Sequence, residues 1–232
     1  MRISELYDFE SKIYDYLYGD FLDDLYAIQD MFKGGDVLEI FSGTGRLISN
    51  FERGVGIDIN PYMLTRTRNK FSKVLGDAFF LPFKRRFDFI IIALNSLLMF
   101  NDQDKAKILS EANRVLKDDG GMYIDIINSF SLVEDKYTVS DYRGKDLSVK
   151  LEMYPERIGE RYDLHYSYIF SYPARKKVAR EITIYPIDEG KLQELLDACG
   201  FTITKKYGDY DLSPFNDRSD KIIVHARKIR NI

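Results

Sequence analysis

The chain has 232 residues, enough for one α/β domain with a sizeable core. Its 34 Lys and Arg are outnumbered by 37 Asp and Glu, so it lacks the basic excess of most nucleic-acid binders. No apolar run approaches the ~20 residues of a membrane-spanning helix, and the one cysteine, Cys199, rules out an internal disulfide or a cysteine-ligated zinc site. Two histidines, His165 and His225, argue against a histidine-rich metal centre, so no metal is expected. The first residues, MRISELYDFESKIYDYLYGDF, are too acidic and aromatic for a secretory signal, and a cytoplasmic location is expected.

Apolar residues spaced three or four apart predict helix over 4–33, punctuated by Gly19 and by Gly34-Gly35. Val37–Phe41 reads as a buried strand, with a helix beginning in Leu47–Phe51. Gly54–Ile57 is a second strand ending at Asp58. Asn60 and Pro61 then supply an N-cap and first helical residue for a helix to about Phe71. Lys73–Leu75 and Phe87–Ala93 are the third and fourth strands, the latter apolar throughout as a central parallel strand should be. Asp102–Lys117 is amphipathic helix, stopped by Asp118-Asp119-Gly120-Gly121, and Met122–Ile127 is the fifth strand. This alternation predicts a doubly wound, mostly parallel sheet.

Residues 131–185 then alternate with period two, as in Leu164, Tyr166, Tyr168, Phe170 and Tyr172, predicting an inserted antiparallel meander. A helix over Asp188–Cys199, a glycine cap at Gly200 and two strands near Thr202–Tyr207 and Lys221–Arg227 complete the chain. The expected division is a nucleotide-binding domain of residues 1–130 and 186–232, with 131–185 as a substrate cover or dimer element. The basic clusters Lys84-Arg85-Arg86 and Arg175-Lys176-Lys177 read as solvated loops or strand ends.

Function concentrates in VLEIFSGTGRL. A strand turning tightly through two glycines leaves backbone N–H groups at the carboxyl edge of the sheet, where open α/β sheets bind nucleotides. Asp58, at the tip of the next strand, could hold both ribose hydroxyls or cap the following helix. Asp77, in GDAFFLPF, could accept a hydrogen bond from an exocyclic amine. Pyrophosphate suits this loop poorly, because Glu39 precedes it and Ile48 stands where a third glycine belongs. An acid-flanked glycine loop suits a nucleoside with a cationic amino-acid tail, which is S-adenosylmethionine.

At this point the sequence resembles the class I S-adenosylmethionine-dependent methyltransferases over nearly its whole length. VLEIFSGTGRL, VGIDINPYML, GDAFFLPF, FDFIIIALNSLLMF and ILSEANRVLKDDGGMYIDI follow the family's motifs in order, and LLDACGF is similar to its late helix-to-strand turn. The departure is Phe41, where the family's loop usually begins with another glycine or small residue.

The resemblance implies a seven-stranded sheet with an antiparallel last strand. It places Glu39 by the methionine amino group, Gly43 and Gly45 against the cofactor, Asp58 on the ribose and Ile59 on the adenine. Asp77 and the Ala78 N–H would meet the adenine edge, and Asn95 the region of the reactive end. It also implies a first helical segment that covers the cofactor, with Tyr14 matching an aromatic of small-molecule enzymes. Tyr14 and His165 are the candidate catalytic side chains; each has an ordinary reading as well, Tyr14 as core and His165 as an exposed strand residue. Arg46 reads as either a ligand of the cofactor carboxylate or a surface arginine.

The expected function is methylation of a small polar metabolite, an amine by preference, by a monomer or homodimer without nucleic-acid or membrane partners. An RNA or protein methyltransferase and a non-catalytic cofactor-binding scaffold are the alternatives.

Overall fold

The computed structural model describes residues 3–66, 71–84 and 87–231. The first segment is three short helices rather than one: α1 (Ile3–Glu10), α2 (Tyr14–Tyr18) and α3 (Asp23–Met31). They are followed by β1 (Val37–Ile40), β2 (Gly54–Asp58), α4 (Pro61–Thr65), β3 (Ser72–Leu75) and β4 (Phe87–Ile92). Then come α5 (Asp102–Val115), β5 (Leu116–Ile127) and four strands in a row, β6 (Tyr137–Arg143), β7 (Ser148–Ile158), β8 (Arg161–Tyr172) and β9 (Lys176–Ile184). The chain finishes with α6 (Glu189–Ala198), β10 (Phe201–Tyr207) and β11 (Lys221–Lys228). No helix among the described residues is long and apolar enough to cross a membrane.

Seven strands form one sheet in the order β10-β11-β5-β4-β1-β2-β3, and only β11 runs antiparallel to its neighbours. All four residues of β1 are buried, and β4 buries all but Asp88, because both central strands are covered on two faces. The strand order reverses between β1 and β4. The loops leaving those two strands therefore diverge and open a crevice at the sheet's carboxyl edge.

The expected helix after β1 is absent: residues Ile48–Asn50 make a single 3₁₀ turn, and Phe51 is already extended. The helix after β2 is also shorter than its apolar pattern suggests, closing at Arg66; residues 67–70 of the expected helix lie outside the described residues, as do Arg85 and Arg86 of the first basic cluster. Asn60-Pro61-Tyr62 is a helix start. The Asn60 side chain accepts from the Tyr62 and Met63 N–H groups, and Pro61 occupies a position that needs no donor. Asn101 and Asp188 cap α5 and α6 in the same way.

Strands β6 to β9 form a separate four-stranded antiparallel sheet. Strand β6 has no apolar alternation of its own and is held by its register with β7. Val149, Leu151, Leu164, Tyr168 and Ile182 from this sheet join Ile40, Ile92 and Leu97 of the main sheet and its loops in one continuous core. The Tyr185 N–H donates to the Leu98 carbonyl at 2.7 Å and the Ser140 hydroxyl to the Leu17 carbonyl at 3.0 Å, fixing the small sheet over the crevice and against the N-terminal helices.

Candidate functional site

The loop after β1 is built from left-handed backbone. Phe41, Gly43 and Gly45 have φ of 64°, 53° and 82°. Gly45 could not carry a side chain even without that strain, since a Cβ there would lie 2.0 Å from the Phe71 ring. Phe41 takes the same conformation with a bulky side chain. Its ring stacks on Phe100, centroids 5.4 Å apart, and packs against the core, so buried aromatic area offsets the backbone cost.

Asp58 is not the cap of α4. Its Oδ2 accepts the Gly43 N–H at 2.8 Å and its Oδ1 the Asn60 N–H at 2.8 Å, so it ties the glycine loop to the tip of β2. Burial raises its carboxyl above the ordinary range, against the pull of those N–H groups. Glu39 is buried inside the loop and accepts the Ile48 N–H at 3.0 Å. Burial pushes its carboxyl up to about 8, and the charge of nearby Arg46 works the other way.

Arg46 is buried, not on the surface. Its Nη1 donates to the Phe21 carbonyl and, at 2.8 Å, to Asp24, with which it forms an ion pair. Its Nε and the Ser42 hydroxyl are buried with no hydrogen-bond partner among the described residues. Glu39, Ser42 and Arg46 line one small cavity together with Tyr14. An acceptor, an unsatisfied donor and an unsatisfied hydroxyl side by side match an amino-acid tail, which carries both charges.

That cavity adjoins a larger one of about 480 Å³, sharing Tyr14, Phe41, Leu94 and Ser96 with it. Gly43, Asp58, Ile59 and Asn95 line the larger cavity on the sheet side. Ile59 is 64% exposed, an apolar side chain held open at the mouth. Asn95 has φ of 63° and its side chain accepts the Ile127 N–H, tying the tip of β4 to the end of β5. Asp77 and Ala78 follow β3 at the same edge; Asp77 accepts the Phe79 N–H at 2.9 Å, and neither residue lines the cavity.

Three N-terminal acids clasp this edge. Asp8 accepts from the Asn60 amide at 2.7 Å, Asp15 from the Thr44 hydroxyl at 2.7 Å, and Asp24 pairs with Arg46. The far wall comes from α1, α2 and the inner face of the small sheet, through Tyr7, Glu10, Tyr18, Leu164 and Tyr166. Burial raises the Tyr14 and Tyr166 hydroxyls well above the ordinary tyrosine range, which disfavours either as a phenolate base.

His165 is elsewhere. It points off the other face of β8, its Nε2 2.9 Å from Glu156 and its Nδ1 3.1 Å from Glu181, and it does not line the cavity. The structure therefore withdraws it as a candidate base. Glu10 is the cavity residue that sequence reading passes over. The signal was available: Tyr7, Glu10, Tyr14 and Tyr18 recur at steps of three and four, which sets one carboxylate within an aromatic stripe.

Residues 37–120 match the model of a methyltransferase domain. An uncharacterised protein of Methanocaldococcus jannaschii is 37% identical over 139 residues, covering 57% of this chain and 54% of its own length. A glycine/sarcosine N-methyltransferase of Parasynechococcus marenigrum is 28% identical over 193 residues, covering 75% of this chain and 65% of its own. The chain spans about half the length of the first curated relatives it matches. Among solved structures, an S-adenosylmethionine-dependent methyltransferase from Clostridium acetobutylicum superposes with a TM-score of 0.78 at 18% identity, over 97% of this chain and 100% of that one. The matched methyltransferase domain spans the glycine loop and the strands β1 to β4, and the chain as a whole shares the fold of that S-adenosylmethionine-dependent methyltransferase.

Proposed function

We propose that the chain methylates the nitrogen of a small-molecule amine, using S-adenosylmethionine. The observation that carries this reading is the cavity, about 480 Å³, running from Gly43 and Asp58 to the tyrosines of α1, α2 and β8. A cavity roofed by a small sheet suits an acceptor that can be engulfed whole. The glycine/sarcosine N-methyltransferase among the curated relatives supports nitrogen as the acceptor atom.

In this reading Asp58 holds the ribose, Ile59 covers the adenine, and Asp77 with the Ala78 N–H meets the adenine edge. Gly43 lets the backbone approach, Asn95 stands by the reactive end, and Glu39 and Arg46 take the amino and carboxylate groups of the tail; Gly45, expected beside the cofactor, instead makes room for the Phe71 ring and lines neither cavity. S-adenosylmethionine supplies a methyl group already activated by the positive charge on sulfur. The protein's part is alignment and exclusion of water. Phe41, Leu94 and Tyr14 supply apolar walls, and the N-terminal clasps shut the edge. The small sheet would serve as substrate cover.

The test is calorimetric titration with S-adenosylmethionine, S-adenosylhomocysteine and NAD, followed by an amine screen for release of S-adenosylhomocysteine. Micromolar binding of the first two, none of NAD, and turnover with an amine is the expected result. Absence of binding to either sulfur compound would return the chain to a scaffold role; binding with turnover only on RNA or protein would overturn the small-molecule reading.

A further inference from the structure

Glu10 sits where the last residue of α1 meets the small sheet. It is 5% exposed, lines the cavity, and its carboxylate accepts the Tyr168 hydroxyl. No lysine or arginine among the described residues pairs with it. Arg180, on β9 against the same helix, instead lies over the Phe9 ring at 4.7 Å and donates to the Ala179 carbonyl. A buried carboxylate without a cation is costly, and such groups are kept where a ligand completes them.

The groups facing it are hydroxyl-bearing rings: Tyr7 on its own helix, Tyr14 and Tyr18 on α2, and Tyr166 and Tyr168 on β8. Beyond them the cavity is walled by apolar Leu132, Met153, Leu164, Ile182 and Ile184. The one lysine in the lining, Lys221, lies over the Tyr210 ring at the start of β11 and its charge acts on Asp125.

We propose that the end of the cavity beneath the small sheet is a cation subsite, in which Glu10 pairs with the ammonium group of an amine of apolar body while tyrosine rings face the charge. Aromatic faces attract cations, and most strongly where water is excluded. A substrate with its own carboxylate, such as glycine or sarcosine, finds no arginine or lysine among the described residues paired with Glu10 to receive it. The subsite rests on the N-methyltransferase reading for its place in a reaction, but its ligand can be tested without one.

The full chain, its Glu10→Gln and its Tyr168→Phe variants are titrated calorimetrically with cyclohexylamine, cyclohexanol, cyclohexanecarboxylate and sarcosine. Each titration is run with and without S-adenosylhomocysteine, from pH 5.5 to 8.5. Cyclohexylamine stays cationic across this range, so its affinity should follow the ionisation of Glu10, whose carboxyl burial raises to about 7. The expected result is amine binding at least tenfold tighter than alcohol, carboxylate or sarcosine, strengthening about tenfold as the pH rises through 7. Glu10→Gln should fall to the level of the alcohol with no pH dependence, while its S-adenosylhomocysteine affinity shows that it is folded. Tyr168→Phe should keep the amine preference with its midpoint moved to higher pH, because the hydroxyl that holds the carboxyl down is gone. Equal amine binding by Glu10→Gln, equal binding of alcohol and amine, or no amine binding at all would overturn the subsite. If the amine pattern holds but S-adenosylhomocysteine binds no form of the protein, the methyltransferase reading falls and the cation subsite stands.

Discussion

The two ends of the cavity are made of different material. At the sheet edge, the groups that face inward are held by backbone: Asp58 by the Gly43 and Asn60 N–H groups, Glu39 by the Ile48 N–H, and Asn95 by the Ile127 N–H. Beneath the small sheet, the Glu10 carboxylate accepts only a tyrosine hydroxyl among the described residues, and its neighbours are rings from α1, α2 and β8. One end is therefore a template that a single substitution at a backbone anchor can break. The other is a pocket of side chains, which can be retuned without disturbing the sheet.

The sharpest way to break that contrast is Asp58→Ala. In the proposed reading it removes two charge-assisted hydrogen bonds to a ribose, and it frees the Gly43 and Asn60 N–H groups. Losing both bonds costs about 4 kcal/mol, or roughly a thousandfold in affinity for S-adenosylhomocysteine by calorimetry. A loss under tenfold would mean that the sheet edge is not the anchor.

Glu10→Gln should act in the opposite sense on stability. A carboxyl raised from 4.5 to about 7 favours the native state when protonated. Its contribution is complete below about pH 4.5, declines as the pH rises through that interval, and is a constant penalty above about 7. The variant, which cannot ionise, should unfold at higher urea than the parent at pH 8, by roughly 3 kcal/mol, and the gap should close at pH 4. No gap at pH 8 would show that Glu10 is not desolvated.

Phe41→Gly sets two terms against each other. Relief of the left-handed backbone is worth about 1 kcal/mol, while loss of a packed ring costs about 2–3. A net destabilisation of about 1–2 kcal/mol by urea denaturation is expected; stabilisation would mean that the Phe100 stack contributes little. The smallest effect belongs to His165→Ala. Outside the cavity and bracketed by Glu156 and Glu181, it should leave amine turnover within twofold at every pH.

The same contrast decides what could be read in advance. The sheet edge follows contiguous motifs, since each strand and its loop carry their own apolar run, acid and glycines. The doubly wound sheet and the inserted meander were legible for that reason, and the antiparallel last strand through the resemblance those motifs carry; the strand order was not. The helix expected after β1 failed because Leu47 and Ile48 are apolar for the core and the chain has only a single turn there before β2. Arg46 was ambiguous because its partners, Phe21 and Asp24, are more than twenty residues away. His165 kept two readings because alternation tells that two faces differ but not which one meets a cavity; the exposed reading is the one observed. For Glu10 the sequence offers only its place in an aromatic stripe; the partner that holds it, Tyr168, lies 158 positions later on β8.

The N-terminal clasps have a consequence for timing. Helices of eight, five and nine residues do not persist alone in water; here they are held by Asn60, Thr44, Arg46 and the core. α1 and α2 wall the larger cavity opposite the sheet edge through Tyr7, Glu10, Tyr14 and Tyr18. Their clasps, Asp8 to Asn60 and Asp15 to Thr44, are side-chain contacts that can part without breaking a strand pairing. Asp24 is held more firmly, because Leu25, Ile28 and Met31 keep α3 in a core with Phe89 and Ile91 of the sheet. The tempo of exchange is then expected to follow α1 and α2, while α3 and the sheet serve as a fixed stage.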